Sequence, residues 1–400
     1  MLPLSFVLYT LIMAKFYTGI DVGTSHVKVM ICAPDPKGGL RIIATSTAPT
    51  KGMRQGYIIN IPEVVASVRE AVDRAEKAAN VRVRSARIAI GGIGIDEMRA
   101  TGEISLTASG GEVTDRDVQR VIQESEKRAS AKLTNRKVIH AIPLAYRIDG
   151  MDVLGRPTGM KGTKLAVDTL LVTAFEQHVH DLIAAIENAH IEVEDVMISP
   201  LAASLVTLTK PQKMVGVVLA NIGAETVSIA VFENDLPISI KVLPIGSADI
   251  TGDLALAFKI PLIEAEQLKR GAVSTLDVPR KKIEDVMNIR LKEICALIDA
   301  HLKSIGKQRL LPAGIIITGG GSGITTIAEI SRSSLRLPSQ IGSLATTVGR
   351  PITSDAVWDV AFGLCRWGYI TEQKDRERGM SYISENIKEY VWKIIRSFLP

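Results

Sequence analysis

Three short turns in the chain carry the residue types that phosphate chemistry needs. The first, Asp21-Val22-Gly23-Thr24-Ser25, follows an apolar run from Tyr17 to Ile20 and has Lys28 just beyond it. Backbone N–H groups approach a phosphate closely only where no Cβ intervenes, and hydroxyls or a lysine complete such a cradle. Gly23, Thr24, Ser25 and Lys28 meet that requirement. Asp21, at the end of a buried strand, is suited to hold the water shell of a magnesium ion. A second strand–turn–strand, Val215 to Ala220 and Thr226 to Glu233, surrounds Asn221-Ile222-Gly223-Ala224-Glu225. A third apolar strand, Ile315 to Thr318, ends in Gly319-Gly320-Gly321-Ser322-Gly323. A glycine turn at a strand end is ordinary punctuation when taken singly. Nothing in the chain matches a GxxxxGKS or GxxxxGKT phosphate loop, so this is a different solution to phosphate binding.

The elements that must position these turns alternate between strands and helices. A hairpin (Tyr17 to Ile20, Val27 to Ala33) precedes an amphipathic helix from Ile61 to Ala79, capped by Asn60 with Pro62 in its first turn. A strand from Ala86 to Ile90 follows. Between about Arg84 and Lys161 the pattern changes to short strands around a polar helix, Thr114 to Ala131, which reads as an inserted small α+β subdomain. Strand Ala166 to Thr173 and helices Glu176 to Ala189 and Pro200 to Leu208 lead to the second hairpin. Helices Ser247 to Phe258, Leu262 to Arg270 and Lys282 to Ile305 come next, and Trp358 to Tyr369 is the last core helix. Two hairpins of one kind, one near the start of each half, mark a candidate internal duplication.

Four hundred residues suffice for two packed domains, and the low aromatic share with abundant Ile, Val, Ala and Gly suits α/β layers. Net charge is only +5 with basic and acidic residues interleaved, so nucleic acid is not an expected partner. Cys32, Cys295 and Cys365 are far apart, odd in number and without a CxxC, which points to buried thiols in a reducing cytoplasm. Leu2 to Ile12 is apolar but lacks a basic leader and is too short to span a bilayer. Met13 is followed directly by the first strand, so the first twelve residues are read as an extension from a mis-called start codon upstream of the expected start at Met13. His178 and His180 lie two apart in a helix, so their side chains diverge and both are expected at the solvated surface.

The order of the turns decides between folds. A hairpin with DxGT, an inserted segment, a second hairpin, Glu266 and Lys269 on a helix, and a strand ending in GGGSG resemble the actin, sugar-kinase and DnaK superfamily. Within it, GIDVGTSHVKVM (Gly19 to Met30), MRQGYIINI (Met53 to Ile61), IPLAYRIDG (Ile142 to Gly150) and RPTGMKGTKL (Arg156 to Leu165) resemble the FtsA family of bacterial cell-division proteins, over nearly the whole chain from Met13. The fold class so implied is α/β: an actin-like two-domain ATPase fold with a small inserted subdomain of the 1C type and a C-terminal amphipathic helix. The first domain takes 13–83 and 162–198, the insert 84–161, the second domain 199–346, the return to the first 347–370, a charged linker 371–381 and the terminal helix 382–400.

What the resemblance implies is ATP with Mg2+ between two domains. Asp21, Gly23, Thr24, Ser25 and Lys28, with Asn221, Gly223, Ala224 and Thr226, would hold the phosphates, and Asp21 the metal's water. Glu266, Lys269 and Gly319, Gly320, Gly321 and Ser322 would hold the adenosine. The family's second phosphate turn commonly reads DIGGGTTD, whereas this chain has NIGAETVS at Asn221 to Ser228. Loss of the carboxylate and gain of Glu225 near a polyanion make hydrolysis weak or absent, and no general base is assigned. The implied partners are FtsZ, docking at about 251–312, further copies of the chain, and later division proteins through the insert. A PilM-like pilus-assembly role and a small-molecule kinase of the same superfamily are the alternatives.

Residues Tyr382 to Leu399 place Ile383, Ile387, Tyr390, Val391, Ile394, Ile395 and Phe398 on one helical stripe. Lys388, Lys393 and Arg396 lie elsewhere around it, with Trp392 beside the stripe. Bulky apolar residues, flanking cations and a boundary Trp are what an interfacial membrane helix needs. The expected location is the cytoplasmic face of the cell membrane at the division site.

Overall fold

The structure is a computed structural model that describes residues 15–36, 38–106, 111–271, 278–344 and 356–377. Its strands are β1 (Tyr17–Val22), β2 (His26–Pro34), β3 (Leu40–Pro49), β4 (Met53–Arg54), β5 (Tyr57–Ile58), β6 (Ser85–Ile90), β7 (Asp96–Ser105), β8 (Arg136–Ile148), β9 (Met151–Val153), β10 (Lys164–Phe175), β11 (Glu192–Ile198), β12 (Val217–Ile222), β13 (Val227–Glu233), β14 (Leu236–Leu243), β15 (Ile315–Thr318) and β16 (Ser339–Ile341). Its helices are α1 (Ile61–Ala79), α2 (Asp115–Ala129), α3 (Glu176–Asn188), α4 (Ser199–Thr207), α5 (Lys210–Val215), α6 (Ser247–Phe258), α7 (Leu262–Lys269), α8 (Arg280–Ser304), α9 (Ile327–Leu335) and α10 (Asp359–Glu377).

Two sheets share one topology. The first runs β3-β2-β1-β6-β11 and the second β14-β13-β12-β15-β16. In each, a hairpin supplies antiparallel neighbours while a strand from much later in the half pairs in parallel with the hairpin's first strand. The duplication expected from the two hairpins is therefore present in the pairing itself.

Alternation along the second sheet connects the halves. Val217, Leu219, Ala230 and Phe232 point into the first half's core, meeting Leu201, Ala202 and Val206 of α4. Their neighbours Val218, Ala220, Ile229 and Val231 point the other way, against α6 and α8. Helix α10 lies against β1 and α4 so closely that glycine is required. A Cβ on Gly363 would stand 1.9 Å from the Ala202 carbonyl oxygen, and one on Gly19 2.2 Å from that of Ala361.

The insert is a separate small sheet, β7-β10-β8-β9, covered by α2. Thr114 caps α2 through a reciprocal box with Asp117, as its sequence implies. The boundaries differ from 84–161. Strand β6 pairs with β1 in the first sheet, and β10 pairs with β7 and β8, so the insert's sheet runs from Asp96 to Phe175. Both strands are apolar runs, and only long-range pairing decides which sheet takes them.

Two further expectations change. The segment from Thr371 read as linker continues α10 to Glu377, because Thr371 Oγ1 donates to the Trp367 carbonyl (2.9 Å) and Glu372 meets Tyr17 Oη at 2.7 Å and Lys15 Nζ at 2.6 Å. His178 is buried, its Nε2 2.9 Å from the Gly91 carbonyl oxygen, since α3 turns that face toward the end of β6; His180 is exposed as expected. All three cysteines are free and buried. The residues of the terminal stripe and of the first twelve positions lie outside the described residues.

A buried histidine makes the fold acid-sensitive. His140 Nε2 accepts the Ile198 N–H at 3.0 Å, and complete burial pushes its pKa down to about 3. The unfolded chain takes up that proton below about pH 6.5 and the folded chain does not. Stability is thus full above about 6.5 and falls toward about 3 by ~1.4 kcal/mol per pH unit for this group. His140→Gln keeps an acceptor without the titration, so urea midpoints compared at neutral and mildly acidic pH should fall less in the variant than in the parent.

Candidate functional site

Parallel strands β1 and β6 of one sheet, and β12 and β15 of the other, end at one crevice, the place where open α/β sheets commonly bind ligands. Asp21, Gly23, Thr24, Ser25, Lys28, Asn221, Gly223, Ala224, Thr226, Glu266, Lys269 and Gly320 all line this cavity of about 810 Å³. Gly319, Gly321 and Ser322 shape its wall without lining it. Gly319, at φ 82°, leaves room for Asn221, since a Cβ there would come within 2.8 Å of Asn221 Oδ1. Gly321 packs on Ile222, and Ser322 Oγ donates to the Gly319 carbonyl at 2.6 Å.

The two hairpin turns repeat each other atom for atom in their closure. Gly23 N–H donates to the His26 carbonyl (3.2 Å) and Gly223 N–H to that of Thr226 (2.8 Å). A Cβ on either glycine would stand 3.0 Å from that same oxygen. Among the described residues nothing accepts from the N–H of Thr24, Ser25 or Ala224, so both turns hold donors for an anion. Strand register places Lys28 beside Asp21, and their side chains pair at 2.9 Å. The corresponding pair in the second hairpin is Asn221 and Ser228.

Glu225 does not face the turn's donors, because its carboxylate accepts the Gln55 N–H from the β4–β5 ribbon at 2.5 Å. The charge that the sequence placed near a polyanion is thus directed into the other half. Glu266 and Lys269 pair at 2.6 Å, and Lys269 Nζ also donates to the Ser247 carbonyl (3.0 Å) and Thr251 Oγ1 (2.9 Å). Burial pushes the Glu266 carboxyl up, but hydrogen bonds from Lys269 and Thr251 outweigh it and leave the group more acidic than usual. Burial lowers Lys269. Together they tie α7 to the start of α6, whose Ser247 and Ala248 N–H groups donate to the Gly223 and Ala224 carbonyls.

Several lining residues escaped the sequence reading. Gly91 and Gly92 follow β6, and the signal was the same apolar strand followed by glycines seen at the other turns. His26, Ser199, Arg270, Val357 and Val360 also line the cavity. Burial and then the Lys28 and Arg270 charges lower the His26 pKa. Under the floor lies Asp359, fully buried at the start of α10, accepting from Asn221 Nδ2 at 3.1 Å and from the Val360 N–H at 2.7 Å. Burial pushes its pKa up to about 6, against the Thr318 hydroxyl, the Lys28 charge and the Val360 N–H. Among the described residues no group of three or more His, Cys, Asp and Glu could hold a metal by itself.

Comparison with known proteins fixes the family. Residues 92–173 match the model of the SHS2 domain inserted in FtsA, and residues 218–357 match that of cell division protein FtsA, together more than half of the chain. The chain belongs to the FtsA family. The FtsA of Pseudomonas aeruginosa is 29% identical over 377 residues, spanning 88% of this chain and 89% of that one. The FtsA of Bacillus subtilis is 27% identical over 343 residues, spanning 80% and 77%. The SHS2 match begins and ends within a few residues of β7 and β10, in accord with the sheet boundaries above. Two solved structures share the actin-like fold. The PilM–PilN type IV pilus biogenesis complex aligns at TM-score 0.66 and 17% identity, over 87% of this chain and 97% of that one. MreB5 of Spiroplasma citri, solved bound to ADP, aligns at 0.52 and 12%, over 92% and 99%. The FtsA assignment rests on the family models, since these two identities carry the fold alone.

Proposed function

We propose that this FtsA-family protein binds ATP between its two halves, assembles with further copies at the cytoplasmic face of the membrane, and anchors FtsZ there. The single observation that carries the nucleotide reading is the pair of equivalent turns facing one crevice, with unsatisfied N–H donors at Thr24, Ser25 and Ala224 and Lys28 lining the same crevice. The residues present fit the group. Thr24, Ser25 and Ala224 would donate to phosphates from turns closed by Gly23 and Gly223, Lys28 would meet their charge, and Asp21 would accept from water on a nucleotide-bound Mg2+. Such a cation supplies charge neutralisation to the phosphates. Because the second turn offers an amide at Asn221, hydrolysis is weak or absent and the nucleotide serves as a gate.

Surfaces support the assembly roles. Helices α6, α7 and α8 expose Leu256, Leu262, Ile263 and Ile289 within the region assigned to the FtsZ tail. The far end of the insert exposes Met151, Leu154 and Met160, a surface for neighbouring copies and later division proteins. No helix among the described residues is long and apolar enough to cross a membrane. Anchoring is assigned to residues 382–400 on their sequence, whose apolar stripe and flanking cations suit an interfacial helix. Ile394→Glu with Phe398→Glu puts two carboxylates on the apolar stripe. That double variant should stay in the supernatant when spun with anionic liposomes that pellet the parent, and its pelleting would remove the anchor assignment.

A further inference from the structure

The two hairpins are equivalent position by position, which makes their one chemical mismatch informative. Asp21 is the fifth residue of β1 and Asn221 the fifth of β12, each two residues before the turn glycine. The first half thus presents a carboxylate where the second presents an amide. The missing carboxylate is nonetheless close by. Asp359 Oδ2 lies 3.1 Å from Asn221 Nδ2, delivered from α10, an element of the other half. Asn221 lines the cavity and Asp359 lies one layer deeper, with no solvent exposure.

We infer that Asp359 is a positioning residue of the nucleotide cleft, holding the Asn221 amide so that Oδ1 is the acceptor offered to the water shell of a nucleotide-bound cation. A carboxylate only accepts, so its contact fixes which end of the amide faces it. The opposite end, Oδ1, then lies beside Gly319, whose lack of a Cβ leaves it room. Asn221 is therefore held on one side by α10 and given room on the other by the third glycine turn. Asp359 opens α10, where the helix dipole favours a carboxylate, and it accepts from the Val360 N–H and the Asn221 amide, so it joins the start of its own helix to the cleft residue of the second half. The charge at the cleft floor also reaches both halves, since α10 packs in the first and Asn221 lies in a strand of the second.

The inference rests on the nucleotide reading, and the test separates the two. ATP affinity of the full chain is measured by calorimetry with Mg2+ and with EDTA, for the parent, Asp359→Asn, and the exchange variant Asn221→Asp with Asp359→Asn. Asp359→Asn should weaken binding roughly 10-fold or more with Mg2+, the scale of one charge-assisted hydrogen bond, and leave binding in EDTA unchanged. The exchange variant carries the same two groups in swapped places and should recover the Mg2+ dependence, which a structural loss would not allow. Parental Mg2+ dependence in Asp359→Asn, or no recovery on exchange, would overturn the inference alone. No ATP binding by the parent would overturn the cleft reading together with it.

Discussion

Replacing Lys28 with alanine should weaken ATP binding roughly 100-fold, the largest effect expected of any single substitution in the cleft. Two losses combine. A lysine–phosphate contact of the charged kind contributes about 1.5–3 kcal/mol, and each ~1.4 kcal/mol is tenfold in affinity. Removing the cation also leaves Asp21, which it meets at 2.9 Å and which is itself buried, unpaired beneath a polyanion. Repulsion between that carboxylate and the phosphates then adds to the missing attraction. The free protein should lose thermal stability too, because an uncompensated buried charge replaces a pair. Calorimetric titration and melting curves check both parts. An unchanged affinity would mean that the phosphates lie elsewhere in the crevice.

Much of this site was legible because its parts are local. A glycine turn just beyond an apolar strand end, with a hydroxyl or lysine near it, is a contiguous signal, and ten of the thirteen residues so chosen line one cavity, as do Glu266 and Lys269, which the family resemblance implied. The three that do not, Gly319, Gly321 and Ser322, belong to the right turn but face Ile222 and Asn221, a direction that only the packed structure fixes. Strands β3 and β14 were not read from sequence. In β3 the segment LRIIATSTAP carries Thr and Ser within its half-buried pattern, and its partner β2 defines it better than its own alternation does. His178 went astray for the same reason, since helical spacing gives direction relative to His180 and says nothing of Gly91 waiting at the end of another strand.

Asp359 is the instructive omission. It stands alone as a charge in the apolar run Ala356 to Cys365, and a lone acid inside a buried helix start is a visible anomaly. Its meaning needed Asn221, which lies 138 residues away in sequence. The insert shows the opposite case. The residue patterns were specific enough to place an inserted subdomain, yet β6 and β10 changed sheets because pairing, unlike composition, is non-local.

The bridging role predicts an all-or-none result. One interfacial helix of the kind read at 382–400 binds lipid reversibly, so stable attachment needs several helices presented by one assembly. FtsZ, docked on the second half, would then be carried to the membrane only through this chain. The most direct measurement is co-sedimentation of FtsZ with anionic vesicles, alone, with the full chain plus ATP, and with a chain ending at residue 381. FtsZ is expected in the vesicle pellet only with the full chain, while the shortened chain still binds FtsZ in solution but leaves both proteins in the supernatant. A full chain that pellets with the vesicles and leaves FtsZ behind would contradict the bridging role.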